Sequence, residues 1–186
     1  MKILAISGSL RSASTNTALL RAVARLSPAE ISVDIYTELG DLPLFNPDIE
    51  ATDPAYVASL RRQLLAAEAV LIASPEYAHG VTGVLKNALD WMVGCEAFVN
   101  KPVALLNAAP RAKHAQAALR ETLTVMSAIV IEAASIDVPI LGNARLDEMG
   151  IAEQPDIAAA LEAVLLSLQQ LAKLRTADMG GADNDG

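Results

Sequence analysis

The sequence predicts an α/β domain in which a parallel sheet is covered by helices on both faces. Three observations carry this prediction. Strand-like and helix-like segments alternate along the whole chain. Two short runs, at 69–73 and 102–106, are apolar without a break, as central parallel strands buried on both faces require. Elsewhere apolar residues recur at helical spacing, as at Leu19, Leu20, Val23 and Leu26.

The elements follow in order. Residues 3–6 form a first strand that stops at Ser7-Gly8-Ser9, and 16–26 a helix. Ile31, Val33 and Ile35 alternate, which suits a second strand. A loop rich in Pro and Asp covers 39–53 and contains Leu42-Pro43-Leu44-Phe45. Asp53-Pro54 opens a helix to about 67, because Asp caps and Pro tolerates the first helical position. The strand at 69–73 leads through a loop at 74–80 into a helix over 81–92. The strand at 102–106 leads through a loop at 107–110 into a helix from about 113 to 127. A fifth strand lies within 129–138, and 155–174 forms a last, apolar helix. One domain thus covers 1–176, and the Gly-, Asp- and Asn-rich end, 177–186, reads as a disordered tail. Spacing alone does not order the strands.

Composition narrows the function classes. Of 186 residues 53% are hydrophobic and 19% charged, an apolar globular composition. Aromatics make up only 3%, so Ala, Leu, Val and Ile build the core and an aromatic in a loop stands out. A net charge of -8 argues against a nucleic-acid partner, which needs a cationic surface. The one cysteine, Cys95, makes no internal disulfide or paired redox motif and points to a reduced, cytoplasmic setting. His79 and His114 are too few and too far apart in sequence to suggest a metal site. No stretch approaches the roughly 20 apolar residues that cross a bilayer. The first apolar run is short and ends in a glycine loop, so it reads as a strand and not as a signal peptide.

In doubly wound sheets ligands bind beyond the carboxyl ends of the strands, so the first such loop is informative. It reads Gly8-Ser9-Leu10-Arg11-Ser12-Ala13-Ser14-Thr15-Asn16 and feeds directly into a helix. Unpaired N–H groups and the dipole favour an anion there. The Ser9, Ser14 and Thr15 hydroxyls, the Asn16 amide and the Arg11 guanidinium add donors. The loop lacks the patterns of a triphosphate-binding or dinucleotide-binding turn. With one glycine and many hydroxyls it suits a terminal phosphate monoester. An ordinary hydroxyl-capped turn fits the same residues about equally well.

The loop after the central strand reads Ser74-Pro75-Glu76-Tyr77-Ala78-His79-Gly80 and continues as Val81-Thr82-Gly83-Val84-Leu85-Lys86-Asn87-Ala88-Leu89-Asp90-Trp91. Pro75 and Gly80 would fix a loop whose backbone approaches a flat ring closely. Tyr77 and His79 can pack beside that ring. The following helix presents its N-terminus to the same edge, where negative charge is favoured. Its body has plainer roles. Lys86 and Asp90 are spaced as an ion pair, Asn87 can bridge to a neighbouring loop, and Leu85, Leu89, Trp91 and Met92 read as core or subunit contact.

These two segments, Gly8-Ser9-Leu10-Arg11 with Ser14 and Asn16, then Pro75-Glu76-Tyr77 and Gly80 to Trp91, resemble the NADPH-dependent FMN reductase family. The resemblance runs from the first strand to roughly Ala134 and takes in Leu42-Pro43-Leu44. It implies a flavodoxin-like three-layer sandwich with a five-stranded parallel sheet, assembled as a homodimer or homotetramer. It implies FMN as cofactor and NADPH or NADH as donor. The acceptor would be a small molecule (a flavin, quinone, azo compound or metal oxyanion) reduced in ping-pong order. By motif, Ser9, Arg11, Ser14, Thr15 and Asn16 would hold the FMN phosphate. Pro75, Glu76, Tyr77, His79 and Gly80 would surround the isoalloxazine, with Asn107 a further candidate. Hydride transfer demands no side-chain acid or base, so no catalytic residue is assigned. Arg11 and Arg111 are the nearest basic groups for the dinucleotide's phosphates. Two departures stand out. Ala78 replaces an amide-bearing residue common in relatives, and the loop from Asn107 to Arg111 lacks their glycines. A flavodoxin-type electron carrier, a non-catalytic binding module and a site for another phosphate ligand are the alternatives.

Overall fold

The computed structural model describes residues 1–109, 111, 113–138, 140 and 147–181, with the backbone alone from 174 onward. Its elements are β1 (Lys2–Ser7), α1 (Thr15–Leu26), β2 (Ser32–Tyr36), α2 (Pro47–Glu50), α3 (Ala55–Ala66), β3 (Ala69–Ala73), β4 (Glu76–Tyr77) and β5 (Gly80–Val81). There follow α4 (Gly83–Met92), β6 (Pro102–Asn107), α5 (Lys113–Val125), β7 (Ile129–Val130), β8 (Ile136–Asp137), α6 (Glu148–Ala152) and α7 (Pro155–Gly181).

The main sheet is parallel, in the order β2-β1-β3-β6-β7, with β8 also on β6. Alternation along each strand sends side chains to two faces. Leu4, Ile6, Val70, Ile72, Val103 and Leu105 enter a core with residues of α3, α4 and α5. Ile3, Ala5, Leu71, Ala73, Ala104 and Leu106 enter a second core with α1 and α7. The α7 face is helical in spacing: Ile157, Leu161, Val164, Leu165 and Leu168 are buried. Three layers result, as the sequence predicts.

The fifth strand is broken. Val103 pairs with Val130 and Leu106 with Ile136, so the outer strand spends extra residues in a 3-10 turn, Glu132–Ala134. Across that gap the Leu105 N–H donates to Ser135 Oγ at 3.1 Å, which keeps a buried donor satisfied.

Several sequence expectations shift. Asp53 does not cap its helix: Pro54 holds the cap position, and Asp53 turns left-handed (φ 47°) and pairs with Arg61. The segment 74–80 is not a plain loop, and the helix expected at 81 begins at Gly83, because β4 and β5 form a hairpin first. α6 carried no periodic signal and was not expected. α7 continues past 174 to Gly181, and 182–186 of the expected tail lie outside the described residues. Pro110 of the loop after β6 does too. Among the described residues, no helix is long and apolar enough to cross a membrane.

Candidate functional site

β1 and β3 are neighbours although β2 intervenes in sequence, so the chain switches direction between them. At such a switch the loops leaving two parallel strands diverge and open a crevice. Ser7 lies in register with Ala73, and the Gly8 N–H donates to the Ala73 carbonyl at 2.8 Å. The contact is close enough to require a glycine. A Cβ on Gly8 would stand 2.2 Å from Ser74 Oγ and 3.1 Å from Thr82 Oγ1. The loop that starts at Gly8 and the loop that starts at Ser74 therefore leave one sheet edge touching each other.

The first loop is ordered by its own hydroxyls. Ser7 Oγ and Thr17 Oγ1 share a hydrogen bond of 2.8 Å, and Ser14 Oγ caps α1 by accepting from the Thr17 N–H at 3.3 Å. Weaker bonds of 3.4 Å run from the Ser9 N–H to Ser7 Oγ and from the Arg11 N–H to Ser9 Oγ. Two hollows flank this turn and share Ser12 and Arg21. One, of about 250 Å³, is lined by Ser7, Ser9, Arg11, Thr17 and the end of β2 at Tyr36 and Thr37. The other, of about 260 Å³, takes in Ser14, Thr15, Asp147 and Glu148.

The electrostatics suit an anion. Arg11 and Arg21 are exposed and make no ion pair among the described residues. Leu10 packs on the turn at Gly40 and walls the first hollow. Tyr36, at the edge of that hollow, has its phenol pushed up to about 12, by burial first and then by Glu38 and Asp41. It stays neutral there over the whole neutral range.

The second loop is a two-residue hairpin. Glu76 pairs with Val81 and Tyr77 with Gly80, and the turn residues Ala78 and His79 both have positive φ, 49° and 62°. This is the geometry of a type I′ turn, in which Asn and Gly are the favoured residues. The amide-bearing residue that Ala78 replaces thus has a backbone reason. Asn adopts the left-handed region readily, whereas Ala meets a cost of about 1–2 kcal/mol. Tyr77 is 63% exposed in a chain with few aromatics. A Cβ on Gly80 would meet only the Tyr77 carbonyl oxygen at 3.5 Å, and one on Gly83 would meet nothing within 4 Å. The protein itself does not need glycine at either position, so both leave room beside the α4 N-terminus.

Two predicted site residues serve the scaffold. The Glu76 carboxylate accepts from the Ala115 N–H at 2.8 Å, at the start of α5. Asn107 is buried, donates to Asp137 Oδ1 at 2.7 Å and accepts from the Ala109 N–H at 3.0 Å. Its amide ties β6 to β8. Asn87, outside the candidate set, bridges α4 to the loop at 43–45, accepting from the Phe45 N–H (2.7 Å) and donating to the Pro43 carbonyl (2.9 Å). Trp91 joins that bridge and is buried with Phe98, while Lys86 pairs with Asp90.

Two buried oxygens have no partner among the described residues, Asn16 Oδ1 and Thr82 Oγ1. An orphaned buried polar atom is uncommon in a native fold, and here they sit at the helix starts that the two touching loops lead into, Asn16 in the first turn of α1 and Thr82 at the cap of α4. Thr82, close to Gly8, and Arg21, lining the first hollow, lie at these loops and are residues that sequence reasoning misses. Arg21 follows Thr17 by one helical turn, which puts both on one face of α1. Thr82 gives no signal, being an ordinary helix-capping type. Among the described residues no group of His, Cys, Asp and Glu is arranged to hold a metal ion.

A parallel sheet in this order, with a hydroxyl-rich turn and an aromatic hairpin over its switch point, defines a flavodoxin-like α/β protein. The comparisons make this specific. The family model described as NADPH-dependent FMN reductase matches residues 1–139, and the chain belongs to that family. It is 40% identical over 132 residues to an NAD(P)H-dependent FMN reductase of Pseudomonas aeruginosa, covering 68% of this chain and 71% of that one. A quinone reductase of Escherichia coli is 35% identical over 94 residues, half of each chain. Among solved structures, the flavoenzyme NAD(P)H:(acceptor) oxidoreductase FerB from Paracoccus denitrificans superposes with a TM-score of 0.80 at 25% identity. That match covers 92% of this chain and 97% of the other.

Proposed function

We propose that this protein is an NAD(P)H oxidoreductase that holds FMN across the touching loops after β1 and β3 and reduces small acceptors, quinones among them. The observation that supports it most is the Gly8–Ser74 contact, which brings the hydroxyl-rich turn after β1 against the loop that runs into the hairpin with its exposed Tyr77. The residues present fit the cofactor. Ser9, Ser14, Thr15 and Asn16, with Arg11 and Arg21, would hold its phosphate against the start of α1. Tyr77, Pro75 and His79 would flank the ring, and the missing side chains of Gly80 and Gly83 leave it space. Bound FMN would supply the hydride-accepting and electron-donating chemistry. The protein's part is binding, orientation and charge. The α4 N-terminus would favour negative charge at the ring edge, and Arg111 is exposed and available to the donor's phosphates. No side chain is assigned as general acid or base.

The relatives named as quinone reductases support a quinone-type acceptor. The match spans about half of their length. Leu44 (83% exposed), Phe45 and Val93 lie near the Pro43–Trp91 bridge and support a homodimer or homotetramer. The single cysteine supports a cytoplasmic setting.

Protein purified and loaded with FMN should be yellow and should oxidise NADPH or NADH when a benzoquinone is supplied. Colourless protein that takes up no FMN overturns the proposal. Uptake of FMN without turnover would mark an electron carrier instead.

A further inference from the structure

The chain's two histidines, distant in sequence, stack on each other at the rim of this site. His79 is the second residue of the hairpin turn, and His114 lies in the first turn of α5. Their ring centroids are 4.2 Å apart and the planes differ by 22°. A second tie runs parallel to the stack, from the Ala115 N–H to the Glu76 carboxylate. The Glu76 bond fastens the base of the hairpin to α5, and the stack fastens its tip.

The hairpin needs such ties. Two residues pair on each side, and an isolated hairpin of that size does not hold in water. Both turn residues are left-handed without being glycine or asparagine, so the turn adds no stability of its own. Both histidines are exposed, so the contact lies at the surface and is not part of either core.

We propose that His114 is a positioning residue: stacked on His79, it holds the hairpin where Tyr77 and Gly80 can receive the flavin ring. The role in flavin binding rests on the function proposed above; the clamp itself does not. A stack of this kind needs a flat ring at position 114, so phenylalanine should replace the histidine and alanine should not.

The test uses His114→Ala and His114→Phe, with two measurements on each. In flavin-free protein, amide hydrogen exchange at 76–81 should be about two- to tenfold faster in the alanine variant, the range an aromatic pair contributes. Exchange in β1, β3 and β6 should stay as in the parent. The FMN dissociation constant, read by quenching of flavin fluorescence, should rise by a similar factor. The phenylalanine variant should restore both readouts. The proposal is overturned if the alanine variant matches the parent in either measurement, or if the phenylalanine variant behaves like alanine. If the parent binds no FMN, the positioning role falls together with the proposed function, and the exchange data alone then decide the clamp.

Discussion

Arg11 and Arg21 meet at one hollow without a carboxylate partner among the described residues, whereas Lys2, Arg61, Lys86 and Arg120 each pair with an acidic side chain. Under the function proposed above, a phosphate with two negative charges would complement such a pair, with the hydroxyls around it as neutral donors. Arg11→Ala should weaken FMN by about 1.5–3 kcal/mol, the value of a hydrogen bond to a charged group, and leave folding unaffected because the side chain is exposed. Fluorescence titration measures this, and unchanged affinity removes Arg11 from the site. The two glycines at the touching loops separate fold from function. The Cβ of Gly80→Val would meet only one carbonyl oxygen, at 3.5 Å, so the variant should fold. It should lose about 1–3 kcal/mol of flavin affinity, as an overfilled site does. Full flavin occupancy in the folded variant would show that no ring comes near position 80. Gly8→Ala is the contrast: its methyl would drive into Ser74 Oγ, so there the fold itself should be destabilised, seen as a lower denaturant midpoint.

At the level of elements, the hairpin β4–β5 is where sequence and structure part. The central strands were legible because 69–73 and 102–106 are unbroken apolar runs, and burial on both faces demands that pattern. Helices α1, α3, α4 and α5 were legible to within a few residues from their periodicity, whereas the short α2 and α6 were not. The hairpin was not, since two paired residues a side show no alternation and Ala78-His79 carries none of the usual turn chemistry. Arg21 and His114 were hidden for another reason: they become neighbours of these loops only once α1 and α5 are packed. The hydroxyl-rich turn after β1 stands out in the sequence because its donors are consecutive. The cost of Ala78 gives a prediction at this scale. Ala78→Asn should relieve the left-handed strain and stabilise the hairpin by about 1 kcal/mol. Amide exchange at 76–81 should slow several-fold without a change elsewhere, and equal exchange would mean that the turn does not hold the conformation described.

For the molecule as a whole, the order β2-β1-β3-β6-β7 puts the end of β2 beside the hydroxyl-rich turn after β1, and Tyr36 closes that end. Only 4% exposed, with Glu38 and Asp41 nearby, its phenol is pushed from 10.0 up to about 12. The sign of the linkage follows. Below pH 10 both folded and unfolded chains keep the proton, and the shift has no effect on stability. Between pH 10 and 12 the unfolded chain releases it while the folded chain retains it, so stability falls as pH rises through that window. The whole loss is roughly 2–3 kcal/mol once both states are ionised. Other groups titrate in the same range, and Tyr36→Phe isolates this one. The variant should lose about 0.5–1.5 kcal/mol at neutral pH, since the Tyr36 hydroxyl donates to the Tyr56 carbonyl at 3.4 Å. Its stability should then fall less steeply than the parent's above pH 10, so that the two curves converge or cross. Urea midpoints measured from pH 8 to 12 read this directly. Curves that stay parallel would mean that Tyr36 ionises as readily in the folded protein as in the unfolded chain, and that the end of β2 is open to water.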